Sequence, residues 1–290
     1  MTTARDLLLT SALFAMIVVG FTGCNIRSSE AKPQAESAKP ETKTAGDGAA
    51  DTKAEVSNGE SATTKSEKKY SKQDPTMGAI IGRIVLKGDP PKIAPTVADP
   101  ANRDHAKCAK HVTTEDLILS KGREIKNVVV SIDGYKPKGR PKPRDLVLDN
   151  KHCTFVPHVS AATVGSRLKV TNSDNFLHNT HALLSAEFNL VVPKGGNIQK
   201  RLRRPGWVLV ICDIHPWMKS HIQVFAHDFF DVTTAEGVFR IHNIPPGEYD
   251  LRVWHERLAI LKGKVVQKSI KVEAGKTIEL ELSLEAPKVK

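Results

Sequence analysis

The sequence predicts an all-β fold of two successive sandwiches, and three observations support this. Helix-length amphipathic patterns are scarce after Met77. Short runs rich in β-branched and aromatic residues recur between Gly and Pro turns. The last of these runs, 277–284, alternates strictly, with Ile278, Leu280, Leu282 and Leu284 on one face and Glu279 and Glu281 on the other. That pattern is a half-buried strand. In chain order the predicted strands are 80–86, 128–132, 167–171, 207–211, 222–225, 238–241, 249–254, 265–272 and 277–284. Many short strands with turn residues between them favour sandwiches. A break near 226–230 divides the ordered part into 77–227 and a smaller module, 228–286.

The N-terminus reads differently. Leu7 to Phe21 is apolar except for Thr10, Ser11 and Gly20. It falls short of the ~20 residues that span a bilayer. Phe21-Thr22-Gly23-Cys24 follows at once. A small residue before cysteine, directly after an apolar stretch, resembles a bacterial lipoprotein signal. The resemblance implies that 1–23 is removed and that Cys24 is lipidated. The chain would then be exported and held at a membrane, facing the periplasm or the cell exterior. An uncleaved anchor or an ordinary secretory signal is the alternative. Residues 25–76 are mainly Ala, Lys, Glu, Ser, Thr, Gly and Pro, with only Ile26, Val56 and Tyr70 as sizeable apolar side chains. Such a segment cannot bury enough apolar surface to offset its chain entropy, so 24–76 reads as a disordered tether with an r.m.s. reach of about 40 Å.

The net charge is +11. Nine basic and nine acidic residues cancel within 25–76, so the excess falls on 77–290, densest at 136–144 and 194–204. A basic head suits an acidic protein partner or an anionic surface. Nucleic acid suits the same charge but not an exported chain. Solvated loops without a partner are the bland alternative.

The chemistry lies in Trp207-Val208-Leu209-Val210-Ile211-Cys212-Asp213-Ile214-His215-Pro216-Trp217-Met218. An apolar strand ends at Cys212; an imidazole follows three residues on, and a thioether three residues after that. Thiolate, imidazole and a weak axial thioether make up most of a blue-copper ligand set. Phe176-Leu177-His178-Asn179-Thr180-His181 offers the missing imidazole. Histidines three apart on an extended segment face opposite ways, so only one should reach the metal. A Met ligand argues against zinc. Read blandly, Cys212 is a buried free cysteine, Trp217 and Met218 are core, and His178 is a turn histidine.

With Cys-x-x-His-x-x-Met and the upstream His-Asn pair, 77–226 resembles the cupredoxins, most closely amicyanin and pseudoazurin, and also cupredoxin-like proteins of the methylamine-utilisation-like group. The resemblance implies a Greek-key sandwich holding one copper through His178, Cys212, His215 and Met218. It implies that Asn179 ties the two ligand-bearing loops together. It also makes His215 the electron port near the surface, with Pro216 and Trp217 in the docking patch. The run from Thr234 to Trp254, centred on Asn243-Ile244-Pro245-Pro246-Gly247, resembles carboxypeptidase regulatory-like, transthyretin-like modules, with Glu236 where Asp is common. That resemblance implies a structural β module. His255 and Glu256 read as surface or inter-domain contacts.

Four cysteines are present. With Cys24 assigned to lipid and Cys212 to copper, Cys108 and Cys153 remain, and an oxidising envelope would pair them. The alternative is a second metal site using Cys153, His158 and His152, or Cys108 and His111. No G-x-S-x-G elbow, H-E-x-x-H or phosphate-binding Gly loop is found, so no enzyme is expected. The expected function is a tethered shuttle passing single electrons between a donor and an acceptor redox protein with acidic docking surfaces. Non-redox copper binding or delivery, or an envelope scaffold, is the alternative.

Overall fold

The computed structural model describes residues 74–258 and 264–286. The signal at 1–23, the lipidation site Cys24 and the tether up to residue 73 lie outside the described residues. No helix among the described residues is long and apolar enough to cross a membrane.

The chain enters β1 (Gly78–Lys87), makes one short helix, α1 (His105–Cys108), and continues through β2 (Val129–Asp133), β3 (Leu146–Lys151), β4 (Thr154–Val156) and β5 (Val159–Thr163). Next come β6 (Arg167–Asn172), β7 (His178–Leu184), β8 (Phe188–Val192), β9 (Asn197–Arg201), β10 (Gly206–Ile211) and β11 (Lys219–Phe225). The remaining strands are β12 (Phe230–Val232), β13 (Val238–Ile244), β14 (Gly247–Trp254), β15 (Lys264–Val272) and β16 (Thr277–Glu285). All nine strands expected from the sequence are present.

Two sandwiches result. In the first, a sheet ordered β5-β11-β10-β7-β8 packs on one ordered β4-β3-β6-β9. Alternation decides which side chains enter its core. On β6, Leu168 and Val170 are buried while Arg167 and Lys169 are exposed. On β10 and β11, Val208, Val210, Ile222 and Val224 point inward beside Leu148 and Phe155. In the second sandwich, β13-β1-β16 packs on β12-β2-β14-β15 around Ile80, Ile84, Ile132, Phe239, Ile241 and Leu251.

The spatial boundary between the sandwiches differs from the division expected at 226–230. β1 lies before that division, yet it pairs antiparallel with β13 and parallel with β16, with Gly82 opposite Phe239 and Leu280. β2 likewise pairs with β12 and β14. The first sandwich is therefore an insertion between β2 and β12. The cause is burial: Ile80, Ile84, Val130 and Ile132 find their apolar partners on the later strands.

Gly82 permits the central strand to pass under an aromatic ring. A Cβ there would lie 2.5 Å from Phe239 ring atoms and 2.9 Å from the Leu280 carbonyl oxygen. Gly82→Ala should destabilise the chain by about 1–3 kcal/mol through overpacking, read as a lower urea midpoint with an unchanged slope.

The sandwiches meet at a small apolar cluster of Val129, Val159 and Trp254, with the Trp207 and Trp254 ring centroids 4.0 Å apart. His227 lies beside this junction, buried near Tyr135 and Phe225. Burial lowers its pKa; Asp228 opposes the shift and Arg144 adds to it. The unfolded chain therefore takes up a proton first, near an ordinary histidine pKa of about 6.5. The stability His227 contributes is complete above that value and is lost as pH falls through it. His227→Gln should flatten the decline in urea-measured stability just below pH ~6.5.

Candidate metal centre

β10 and β11 form an antiparallel pair, and the loop between them carries the Cys-x-x-His-x-x-Met sequence. The loop is closed tightly: the Met218 amide donates to the His215 carbonyl (2.9 Å), and the Cys212 amide to the Met218 carbonyl (3.4 Å). The other histidine opens β7, the neighbour of β10. Cys212, His215, Met218 and His178 are all buried.

The three strong donors converge. Cys212 Sγ lies 3.6 Å from His215 Nδ1 and 4.0 Å from His178 Nδ1. First-row metals bond sulfur at about 2.3 Å and imidazole nitrogen at about 2.0–2.1 Å, so one ion fits in contact with all three. Burial disfavours the Cys212 thiolate, but hydrogen bonds with His178 and His215 outweigh it and bring the pKa down to about 6. A sulfur poised as thiolate and two imidazoles with the same nitrogen turned inward form a donor set for a soft or borderline metal. His181 faces away from this point, its Nδ1 3.0 Å from Asp213 Oδ1.

Asn179 bridges the two loops. Its Oδ1 accepts from the Asp213 amide (2.8 Å) and lies 3.2 Å from Cys212 Sγ. Its Nδ2 donates to Asn189 Oδ1 (2.7 Å) and Asp213 Oδ2 (2.8 Å).

Both histidines carry a carboxylate on their outer nitrogen, which sequence reasoning missed. His178 Nε2 lies 3.0 Å from Asp174 Oδ2, and His215 Nε2 lies 3.4 Å from Asp104 Oδ2. Burial opposes the His178 charge, yet Asp174 and Cys212 together raise its pKa. Carboxylates behind imidazoles fix ring orientation and increase ligand basicity. Asp174 sits four residues before His178, in the turn that leads into β7. Asp104 is far away in sequence and carries no local signal.

Asp104 belongs to a long excursion between β1 and β2 that covers the site. A disulfide links its Cys108 to Cys153. Asn102 Nδ2 donates to the Ile214 carbonyl on the ligand loop (2.6 Å). Asp174 accepts from the His152 and Cys153 amides (2.7 and 2.9 Å), joining the disulfide to the His178 side of the site. His111 and His152 stack on each other, with ring centroids 4.7 Å apart. In the chain-entropy view, closing this loop by the disulfide stabilises the fold by about 4 kcal/mol.

This excursion overturns one expectation. His215 does not reach the surface; it is fully buried under Asp104 and beside the Phe176 and Trp217 rings. Pro216 is exposed. Trp217 is half-buried, its indole N–H donating to the Cys153 carbonyl (3.1 Å).

Residues 225–280 match the family described as polysaccharide lyase family 4, domain II. That span runs from the end of β11 into β16 and takes in β12 to β15 of the second sandwich. No curated protein matches the chain. Among solved structures, the copper-containing nitrite reductase of Thermus scotoductus is 25% identical over 32% of this chain and 24% of that one, with a TM-score of 0.26. The purple cupredoxin of Nitrosopumilus maritimus is 20% identical over 28% of this chain and all of that one (TM-score 0.26). An amicyanin variant in the Cu(I) form is 16% identical over 33% of this chain and 98% of that one (TM-score 0.25). This chain thus spans about a quarter of the nitrite reductase.

Proposed function

We propose that the chain is a copper protein that carries single electrons between envelope redox proteins, with copper held by His178, Cys212, His215 and Met218. The observation that supports this most directly is the convergence of Cys212 Sγ, His178 Nδ1 and His215 Nδ1 in a buried pocket. With copper bound, such a site supplies one-electron chemistry. The protein's own part is to keep the three donors in one arrangement through Asn179, Asp104 and Asp174, so that a change of oxidation state moves few atoms. Electrons would leave through Phe176 and the covering excursion, because His215 has no solvent face. Lys107 lies over the Phe176 ring (4.9 Å to its centroid) and is paired with Asp104 (2.6 Å), so attraction of an acidic partner rests on the basic segments 136–144 and 194–204. The lipid anchor on Cys24, the tether and the absence of enzymatic turnover belong to the same reading.

The deciding experiment is the visible spectrum after adding Cu(II), with ferricyanide to oxidise any Cu(I). An intense blue band at one copper per chain is expected. A colourless protein would overturn the reading. Met218→Leu should keep the colour and raise the reduction potential, as expected when a weak axial donor is lost; an unchanged potential would remove Met218 from the ligand set.

The burial of His215 favours one other reading, in which the chain holds copper without passing electrons. A reversible Cu(II)/Cu(I) wave separates the two: its absence in a copper-loaded, blue-silent protein would favour holding.

A further inference from the structure

A second cluster of donors lies where the two sandwiches meet. His158 precedes β5, His221 is on β11, and the His221 amide donates to the His158 carbonyl (2.9 Å). These two residues belong to the first sandwich. Glu256 follows β14 and belongs to the second. Both imidazoles turn Nε2 toward the Glu256 carboxylate: His158 contacts Oε1, and His221 lies 3.2 Å from Oε2. The three donor atoms all lie within 4.8 Å of one another. The His158 and Glu256 side chains are buried, at 4% and 7% exposure.

We propose that His158, His221 and Glu256 form a binding site for a divalent zinc-type ion that clamps the two sandwiches together. Two arguments support it. Two imidazoles and one carboxylate, with at least one position left for water, are a recurrent donor set for such ions. Both rings turn the same nitrogen toward one carboxylate, His221 from β11 and His158 from the residue just before β5, held to β11 by the His221 amide, so little ordering is needed on binding. A cleft lined by Glu115, Asp116 and Lys219 reaches one of the three ligands, His158.

Lys219 is the counter-argument. Its Nζ lies 3.1 Å from Glu256 Oε2 and 2.9 Å from Asp116 Oδ1, so it competes with a cation for the carboxylate. Its side chain is 30% exposed and can turn to solvent, while Arg257 continues to hold Asp116. The competition yields a sharp expectation. Lys219→Gln should tighten binding by about tenfold, because it removes the competing charge; in a plain ion-pair latch it would change no metal affinity.

The test is a Zn(II) titration of the full chain by calorimetry, with two ions expected per wild-type chain. One should be lost in Cys212→Ser and the other in His221→Ala and Glu256→Gln. Wild-type stoichiometry in the last two variants would overturn the proposal. If either variant fails to fold, long-range 15N–1H spectra of the unmodified protein decide instead. Zn(II) saturation should move the Nε2 resonances of His158 and His221, and unmoved resonances would reduce the cluster to an ion-pair latch. Because this site shares no ligand with the Cys212 centre, a colourless copper titration and a failed zinc clamp are independent results.

Discussion

Cys212→Ser is expected to abolish the blue band completely while the protein stays folded. The band requires a sulfur-to-copper charge transfer, and Cys212 is the only free thiol among the described residues. Serine fits the same space, and its hydroxyl can donate to Asn179 Oδ1, which lies 3.2 Å from the sulfur. With that hydrogen bond made, the change should cost no more than about 1–3 kcal/mol, which a domain survives. Visible absorption reads the first effect and far-UV circular dichroism the second. A variant that stays blue would mean that the thiolate assignment is wrong. His178→Ala should act less absolutely, since the sulfur and His215 would remain.

Ending the chain at residue 227 should be the most disruptive change of all. β1 loses both neighbours, β13 and β16, and β2 loses β12 and β14. Ile80, Ile84, Val130 and Ile132 would then face water, each forfeiting about 1.5–3 kcal/mol of burial. Trp207 would lose its ring contact with Trp254. The fragment 77–227 is expected to aggregate, or to be cleaved through 78–133 in limited proteolysis. A monomeric fragment resistant over that stretch would contradict the insertion described above.

Local patterns carried much of this structure in the sequence. The 277–284 alternation appears as β16, and the six-residue spacing from Cys212 to Met218 appears as one closed loop. His178 and Asn179 were legible because they sit side by side at the start of a strand. The Cys108–Cys153 link followed from counting cysteines. Long-range choices were not legible. Nothing in 80–86 says that its partners lie beyond residue 230, since a buried strand reads the same in any sheet. The excursion after β1 has no hydrophobic period, so neither its position over His215 nor the role of Asp104 could be read. β3 and β8 expose Val147 and Val191, β3 buries Asn150, and β9 has only Ile198 as an apolar residue, so the alternation is hidden. His158, His221 and Glu256 are widely spaced and come together only when the two sandwiches dock.

The parallel pairing of β1 with β16 has a consequence for the order of folding. Gly82 meets Leu280 across almost the whole described chain, a contact of very high sequence separation. Every strand of the Cys212 sandwich, from β3 to β11, lies inside that span. Loop closure favours near contacts over distant ones, and high contact order slows pairing. The inserted sandwich is therefore placed to condense first and to bring the ends of its host within reach. The enclosing sandwich closes last, when its outermost strands finally meet.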